Sequence, residues 1–428
     1  MFIAIFILTY FLILSGKINK ALAAIIGAIG IVTSGIFFNI FSYEAALGFI
    51  ELEVILILTG TFIITAAAEE SSVFEFAAIR FLKISKGDPF RLFMLLSFLI
   101  VLLSAILSNL VAMVIVASLT IVACKNLDLD PKPYIFAEAI FANIGGLMTL
   151  ISSVPNILVS LVAGITFLEF LIFSIPLSMI VTPITFQILI ILLRVKKPIS
   201  DERKAILRQK LETFDEWSVV KDKRIFYRSI TVMTITLILL TIGDFLGVGL
   251  GLIAIVGGVM MLLLGHLNTE KVFQGINWSI IFFVAALLVL VRGLAEAGIL
   301  KSFSEPLIEL ASGNILVIGI SILWIIGLLS SFIVDIPLTA AFIPIIQDIT
   351  TDLGPNSVLL WWAIIFGVSL GANYTPVGSS STIIALGVLR KQQKVSFKDF
   401  AKIGAIVCTT QLILGSIYLI ALYFLFHT

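Results

Sequence analysis

Apolar positions run along this chain in long blocks rather than in alternation, and the blocks recur from one end to the other. A run of about 20 apolar residues is long enough to cross the hydrocarbon core of a bilayer. Lipid offers no partner to bare backbone N–H and C=O groups, so such runs fold as helices. The pattern predicts crossings over 2–15, 21–40, 54–68, 134–163, 170–193, 229–243, 250–265, 277–291, 358–388 and 403–426. Two further apolar stretches, 92–123 and 314–347, each bend around a polar tip and are expected to be re-entrant hairpins. The fold class expected is an all-α polytopic membrane protein.

Two of the crossings carry an internal defect. ANIGGLMTLISSVPN (142–156) packs two glycines, two asparagines, two serines, a threonine and a proline into an apolar span, and SLGANYTPVGSSST (369–382) is a similar polar break in a later one. They belong to a repeat with a constant spacing of 226: Glu44 with Glu270, Glu70 with Glu296, Ser104 with Ser330, Gly145 with Gly371, Thr149 with Thr375 and Ser153 with Ser379. The spacing becomes 230 upstream (AIIG 24–27, AIVG 254–257) and downstream (TFLEF 166–170, SFKDF 396–400). The expected organisation is a first repeat over 1–193, a cytoplasmic linker with a helix over 194–228 and a second repeat over 229–428. Five crossings and one hairpin per repeat is an odd number, so the second repeat is expected to enter the membrane inverted. Inverted repeats with broken helices are a secondary-transporter architecture, with the site near the midplane.

Charge orients this scheme. With both bent stretches taken as hairpins, 25 of the 27 Lys and Arg residues fall on one face, and only Arg292 and Lys301 fall on the other. The positive-inside rule makes the rich face cytoplasmic and puts both termini outside, in the cell membrane. The first residues, MFIAIFILTYFLILSG, lack a basic n-region and are expected to be a first span.

Composition narrows the chemistry further. The chain is 60% apolar and 12% charged, about half the charge of a soluble domain. Cys124 and Cys408 sit in apolar stretches without CxxC spacing, and His266 and His427 lack metal-binding spacing, so a zinc enzyme is excluded. No cofactor, resident metal or nucleic-acid partner is expected, and no catalytic pair stands at enzyme spacing. Net charge of +1 selects no partner.

Chemistry concentrates in four polar elements. The hairpins turn at Ser108-Asn109-Leu110 and Val334-Asp335-Ile336-Pro337, which puts Asn109 and Asp335 at matching positions of the repeat. After each break a helix restarts, with Ser152-Ser153-Val154-Pro155 and Ser379-Ser380-Ser381-Thr382 near its cap. Two helix N-termini aimed inward favour an anion or an oxygen-rich neutral solute. Carbonyls freed at Gly145, Gly146, Gly371 and Ala372 are expected to hold Na⁺, and the glycines to let backbone approach the solute. The expected solute-binding set is Ser108, Asn109, Asn143, Gly145, Gly146, Thr149, Ser152, Ser153, Asn156, Thr339, Gly371, Asn373, Thr375, Ser379, Ser380 and Ser381, with Asp335 and Asn109 coupling the ion. Plainer roles compete. Thr149 and Thr375 back-bonding their own helices, and Asp335 capping a helix, are alternatives. Glu138, Trp361 and Trp362 are expected at the membrane interface, and Glu70 and Glu296 as solvated helix ends.

At these elements the chain resembles the ion transporter superfamily, most of all its arsenite-pump/NhaD/P-protein branch with its citrate transporter-like domain. SAILSNLVA (104–112), ANIGGLMTLISSVPN, VDIPLTA (334–340) and LLWWAIIFGVSLGANYTPVGSSST (359–382) carry the likeness, which runs over essentially the whole chain. Ser108 and Ser153 stand where the branch has acids, and Val334-Asp335 where it has Asp-Asn. The resemblance implies a scaffold, a mobile transport domain and elevator-like alternating access. The expected function is secondary transport of a small oxyanion or neutral hydroxide such as arsenite or antimonite, or of a carboxylate, coupled to H⁺ or Na⁺. A Na⁺/H⁺ antiporter and an anion channel on the same scaffold are the rivals, and homodimerisation is left open.

Overall fold

The computed structural model describes residues 1–15, 17–195, 215–265, 267–299 and 314–427. The described residues are helical, with no strand among them. The first half runs α1 (Phe2–Ser15), α2 (Lys20–Phe37), α3 (Tyr43–Leu47), α4 (Leu52–Glu70), α5 (Val73–Ile84), α6 (Pro89–Ile106), α7 (Asn109–Asn126), α8 (Lys132–Gly146), α9 (Val154–Ala163) and α10 (Phe167–Leu192). The second runs α11 (Lys223–Ile242), α12 (Leu250–Gly265), α13 (Thr269–Gly275), α14 (Trp278–Glu296), α15 (Ile315–Ser330), α16 (Asp335–Leu353), α17 (Leu359–Gly371), α18 (Ser380–Arg390) and α19 (Phe397–His427). Residues 196–214 of the expected helical linker lie outside the described residues, as do His266 and Lys301.

Helix starts keep the spacing read from the sequence. Lys20 and Leu250 are 230 apart; Leu52 and Trp278, Asn109 and Asp335, and Val154 and Ser380 are each 226 apart; Phe167 and Phe397 are again 230 apart. The packing also recurs in exchanged form. α4 packs on α12 as α14 packs on α2, α6 on α8 as α15 on α17, and α7 on α18 as α16 on α9.

Among the described residues eight helices are long and apolar enough to cross a membrane, and the chain is a multi-pass membrane protein. α6 and α7 are among these, and together they run past both ends of the expected 92–123 stretch, their junction falling at Leu107–Ser108. At 15 and 10 residues, α8 and α9 rise about 22 and 15 Å, so neither alone spans a core of about 30 Å. α9 ends at Gly164, whose φ of +68° is the left-handed closing conformation that glycine adopts without strain.

Two expectations of interfacial side chains are corrected here. Trp362 is buried among Phe170, Phe173 and Phe366, and Trp361 is buried beside it. Glu138 is fully buried, its carboxylate accepting a hydrogen bond from Thr120 of α7. Hydropathy counts residues along the chain and does not register that α8 and α17 are enclosed by neighbours on every side. The described end of the linker is clamped to α5. Glu216 accepts from Arg80 at 2.7 Å and from Lys83, and these cations hold its carboxyl down at about 2. Glu70 is not left to solvent alone: Lys271 and Lys221 lie 3.6 and 3.9 Å away.

Candidate functional site

One cavity of about 50 Å³ gathers all four polar elements. The first tip contributes Ser108, Asn109 and Leu110, and the second contributes Asp335 and Ile336. The two breaks contribute Ile151 to Pro155 with Ile157, and Ser379 to Ser381. These residues mark the starts of α7, α16, α9 and α18, so four helix N-termini face one space. Unpaired first-turn N–H groups and the helix dipole make each such end attractive to negative charge. No lysine or arginine is among the lining residues, and Asp335 is the one carboxylate among them. The opposite wall comes from Leu58, Thr61 and Phe62 of α4 and Ile280 of α14.

The first break satisfies itself. Ser152 Oγ donates to the carbonyls of Gly146 and Thr149 at 2.6 Å, and Asn156 Nδ2 donates to the same two at 2.8 and 3.0 Å. Met148 N–H donates to Gly145 O. The Gly145 and Gly146 carbonyls, expected to be free for Na⁺, therefore already have partners. A backbone leaving helical geometry in an apolar core must find them, and Ser and Asn supply them locally. Ser153 sits at the cap position of α9 without a side-chain capping bond, with Pro155 in its first turn.

The second break is wired to the first. Ser379 and Ser381 donate to Asn143 Oδ1 at 2.8 and 3.2 Å, and Asn143 Nδ2 donates to Asn373 Oδ1 at 2.8 Å. Asn373 Nδ2 donates to Gln411 Oε1 at 2.9 Å, and Gln411 Nε2 to Thr185 Oγ1 at 2.9 Å. All six side chains are buried. This chain fixes the cavity-lining serines through amides that do not themselves reach the cavity.

The glycines serve packing rather than solute access. A Cβ on Gly145 would lie 2.4 Å from Val101 O, and one on Gly371 2.2 Å from Gly327 O. Val101 and Gly327 are themselves 226 apart, so the same close helix approach is made twice. A Cβ on Gly146 would strike the Asn109 amide, which lies over that backbone. Thr149 and Thr375 do not bond back to their own helices. Thr149 donates to Ala105 O at 2.6 Å and Thr375 to Ser331 O, tying each break to its hairpin at the same repeat spacing. Thr339 back-bonds to Asp335 O at 2.8 Å and lies outside the cavity. Asp335 is the first residue of α16, and its Oδ1 accepts from Ile336 N–H at 2.9 Å.

Of the expected set, Ser108, Asn109, Ser152, Ser153, Asp335, Ser379, Ser380 and Ser381 meet at the cavity. Asn143, Gly145, Gly146, Thr149, Asn156, Thr339, Gly371, Asn373 and Thr375 lie behind it. Sequence reasoning missed Thr61 and the α4 wall, which look like any apolar span. It also missed Gln411 and Thr185, two polar side chains in apolar helices whose separation of 226 was a usable signal. Tyr10 was missed too; its hydroxyl donates to Pro337 O at 2.7 Å, fastening α1 to the second tip.

Residues 10–367 match a protein family described as citrate transporter. The chain is similar to a 46 kDa membrane protein of Mycobacterium leprae, 30% identical over 97% of both chains. A Mycobacterium tuberculosis transporter is 28% identical over 99% of this chain and 98% of its own. The mouse P protein is 26% identical over 98% of this chain but only 59% of its own length. Among solved structures, the Alcanivorax borkumensis YdaH transporter shares the fold, with a TM-score of 0.59 at 14% identity over 90% of this chain and 88% of that one.

Proposed function

The chain belongs to the citrate transporter family, and from that premise we propose that it is a secondary active transporter of a small oxyanion, a neutral hydroxide of the arsenite or antimonite kind, or a carboxylate. One observation carries the reading: four helix N-termini and a row of serine hydroxyls converge on one cavity without a lysine or arginine. Such a site offers N–H and O–H donors to solute oxygens and a partial positive field, but no full counter-charge. A multiply charged anion therefore needs a cotransported cation. Asp335 is where H⁺ or Na⁺ would act, because an unpaired carboxylate at that depth costs several kcal/mol.

Size supports a small solute in the observed state. About 50 Å³ corresponds to roughly three to five water-sized positions. A tricarboxylate such as citrate requires the tips and breaks to draw away from α4 and α14. In the elevator reading those two helices belong to the fixed scaffold, while hairpins and breaks move together. In the same reading both termini lie outside the cell membrane, the central linker is cytoplasmic and the protein assembles as a homodimer.

Counterflow in proteoliposomes tests the proposal, with arsenite, antimonite, silicate, succinate and citrate as solutes. A ligand that binds only the folded form also raises its apparent stability, which provides a screen before reconstitution. Exchange of one solute, driven further by an imposed H⁺ or Na⁺ gradient, is the expected result. Voltage-driven current without exchange would make the protein an anion channel. Na⁺/H⁺ exchange without solute would make it an antiporter.

A further inference from the structure

Glu138 has no part in the cavity, yet among the described residues it is the most deeply buried acid. It lies on α8, 0% exposed, with Thr120 of α7, also 0% exposed, donating to its Oε1. Its Oε2 is buried and has no hydrogen-bond partner. Among the described residues no lysine or arginine forms an ion pair with it. The titratable neighbours are few. Cys124 on α7 and Tyr134 on α8 lie within electrostatic reach, and no cation acts on Glu138 from α6, α7, α10, α17 or α18, the helices that pack on α8.

The repeat shows that the fold does not need this pair. At the constant spacing of 226, Thr120 corresponds to Ile346 and Glu138 to Ile364. Both isoleucines are 0% exposed, in the equivalent α16 and α17. The same helix contact is thus sealed by two apolar side chains in one half and by a carboxyl and a hydroxyl in the other. Exchanging a buried polar pair for apolar residues of similar volume is commonly neutral or stabilising. A buried acid that packing does not require, with one oxygen left empty, points to a task beyond structure.

We propose that Glu138 is a proton-binding site of this protein, and that H⁺ is accordingly a coupling ion of the transport cycle. The proposal deepens the transporter reading and rests on it. The step is a single proton binding to the carboxylate at Oε2 to give the neutral acid, and its return to water. Glu138 is six residues from the start of α8, about 9 Å along the axis, and five residues before Asn143, about 7.5 Å. It therefore lies between the Lys132 end of the helix and the amide that holds Ser379 and Ser381. Neutral, it leaves the interface between α7 and α8 dry; ionised, it draws water between the helices that carry the first tip and the first break. Only the proton-bound form then suits movement of the assembled site.

Two measurements decide it. In infrared spectra of purified protein titrated with pH, a protonated-carboxyl stretch is expected that Glu138→Gln removes and Glu138→Asp restores. The same spectrum in Glu138→Gln and wild type overturns the proton site, whatever the protein transports. In proteoliposomes loaded with arsenite or citrate, Glu138→Gln is expected to keep solute exchange within about twofold while losing pH-gradient-driven uptake by about tenfold or more. Gradient-driven uptake at the wild-type level overturns the coupling role. Absence of any exchange by wild type defeats the transporter reading and the coupling role with it, while the infrared result still decides the proton site. Thr120→Ile combined with Glu138→Ile, which copies the second repeat, is the folding control: it is expected to keep the wild-type melting temperature and lose the band.

Discussion

Asp335 stands at the start of α16 with one carboxylate oxygen on Ile336 N–H and its side chain at the cavity wall. Asparagine keeps that acceptor but cannot ionise. Asp335→Asn is therefore expected to retain solute exchange and to lose dependence on an imposed ion gradient by about tenfold. Uptake with and without H⁺ and Na⁺ gradients checks this; gradient-driven uptake like the wild type would leave Asp335 as a capping residue only. At the surface, Glu216 allows a pH prediction. Its folded-state pKa of about 2 is below the ordinary 4.5, so its stabilisation is complete above the unfolded value and is lost as pH falls through the folded one. Wild type is expected to melt above Glu216→Gln by a constant margin from neutral pH down to about 5, with the gap closing toward pH 2. Calorimetry across that range checks it, and a gap that closes near neutral pH contradicts the clamp. The roles of such residues were partly legible in sequence. Asp335 stood out as an acid on a tip, whereas Glu216 looked like one charge among many until Arg80 and Lys83 were brought to it.

The breaks are held by neighbours as much as by their own residues. Gly145 meets the Val101 carbonyl on α6 and Gly371 the Gly327 carbonyl on α15, so both glycines set how closely helices approach. Gly145→Ala and Gly371→Ala are each expected to destabilise the protein by about 1–3 kcal/mol through overpacking. Leucine at either position is expected to abolish transport, because the break would be levered off its hairpin and the cavity wall displaced. Thermal unfolding of the alanine variants and uptake by the leucine variants check this. Unchanged stability and uptake would mean that the helices separate freely. The sequence showed that two spans break, since Gly, Asn, Ser and Pro cluster there in duplicate. It did not show that Thr149 and Thr375 reach across to Ala105 and Ser331, because that pairing exists only once α6 lies on α8 and α15 on α17.

For the whole molecule, both hairpin tips line one cavity. The outer ends of the hairpins carry the topology. Lys86 and Asp128 are exposed at the two ends of the first hairpin, and Asp352 is exposed near the outer end of the second. With the second repeat inverted, Lys86→Cys and Asp128→Cys are expected to react with an impermeant thiol reagent from the cytoplasmic face, and Asp352→Cys from the outside. All three reacting from one face would rule out inversion.

Sequence by itself determined the class of the fold, the recurrent spacings of 226 and 230, the positions of tips and breaks and the polar residues on them. These follow from local chemistry: hydropathy decides what enters lipid, and Gly, Pro, Asn and Ser decide where a helix cannot continue. Tertiary structure alone decided which of those residues face a shared cavity and which stand behind it as bonds and spacers. It also turned Glu138, Trp361 and Trp362 from expected interface residues into buried ones. The physical reason is that a helix has several faces. Composition gives their sum, and only the neighbours packed on each face determine which side chain meets water, lipid, solute or another helix.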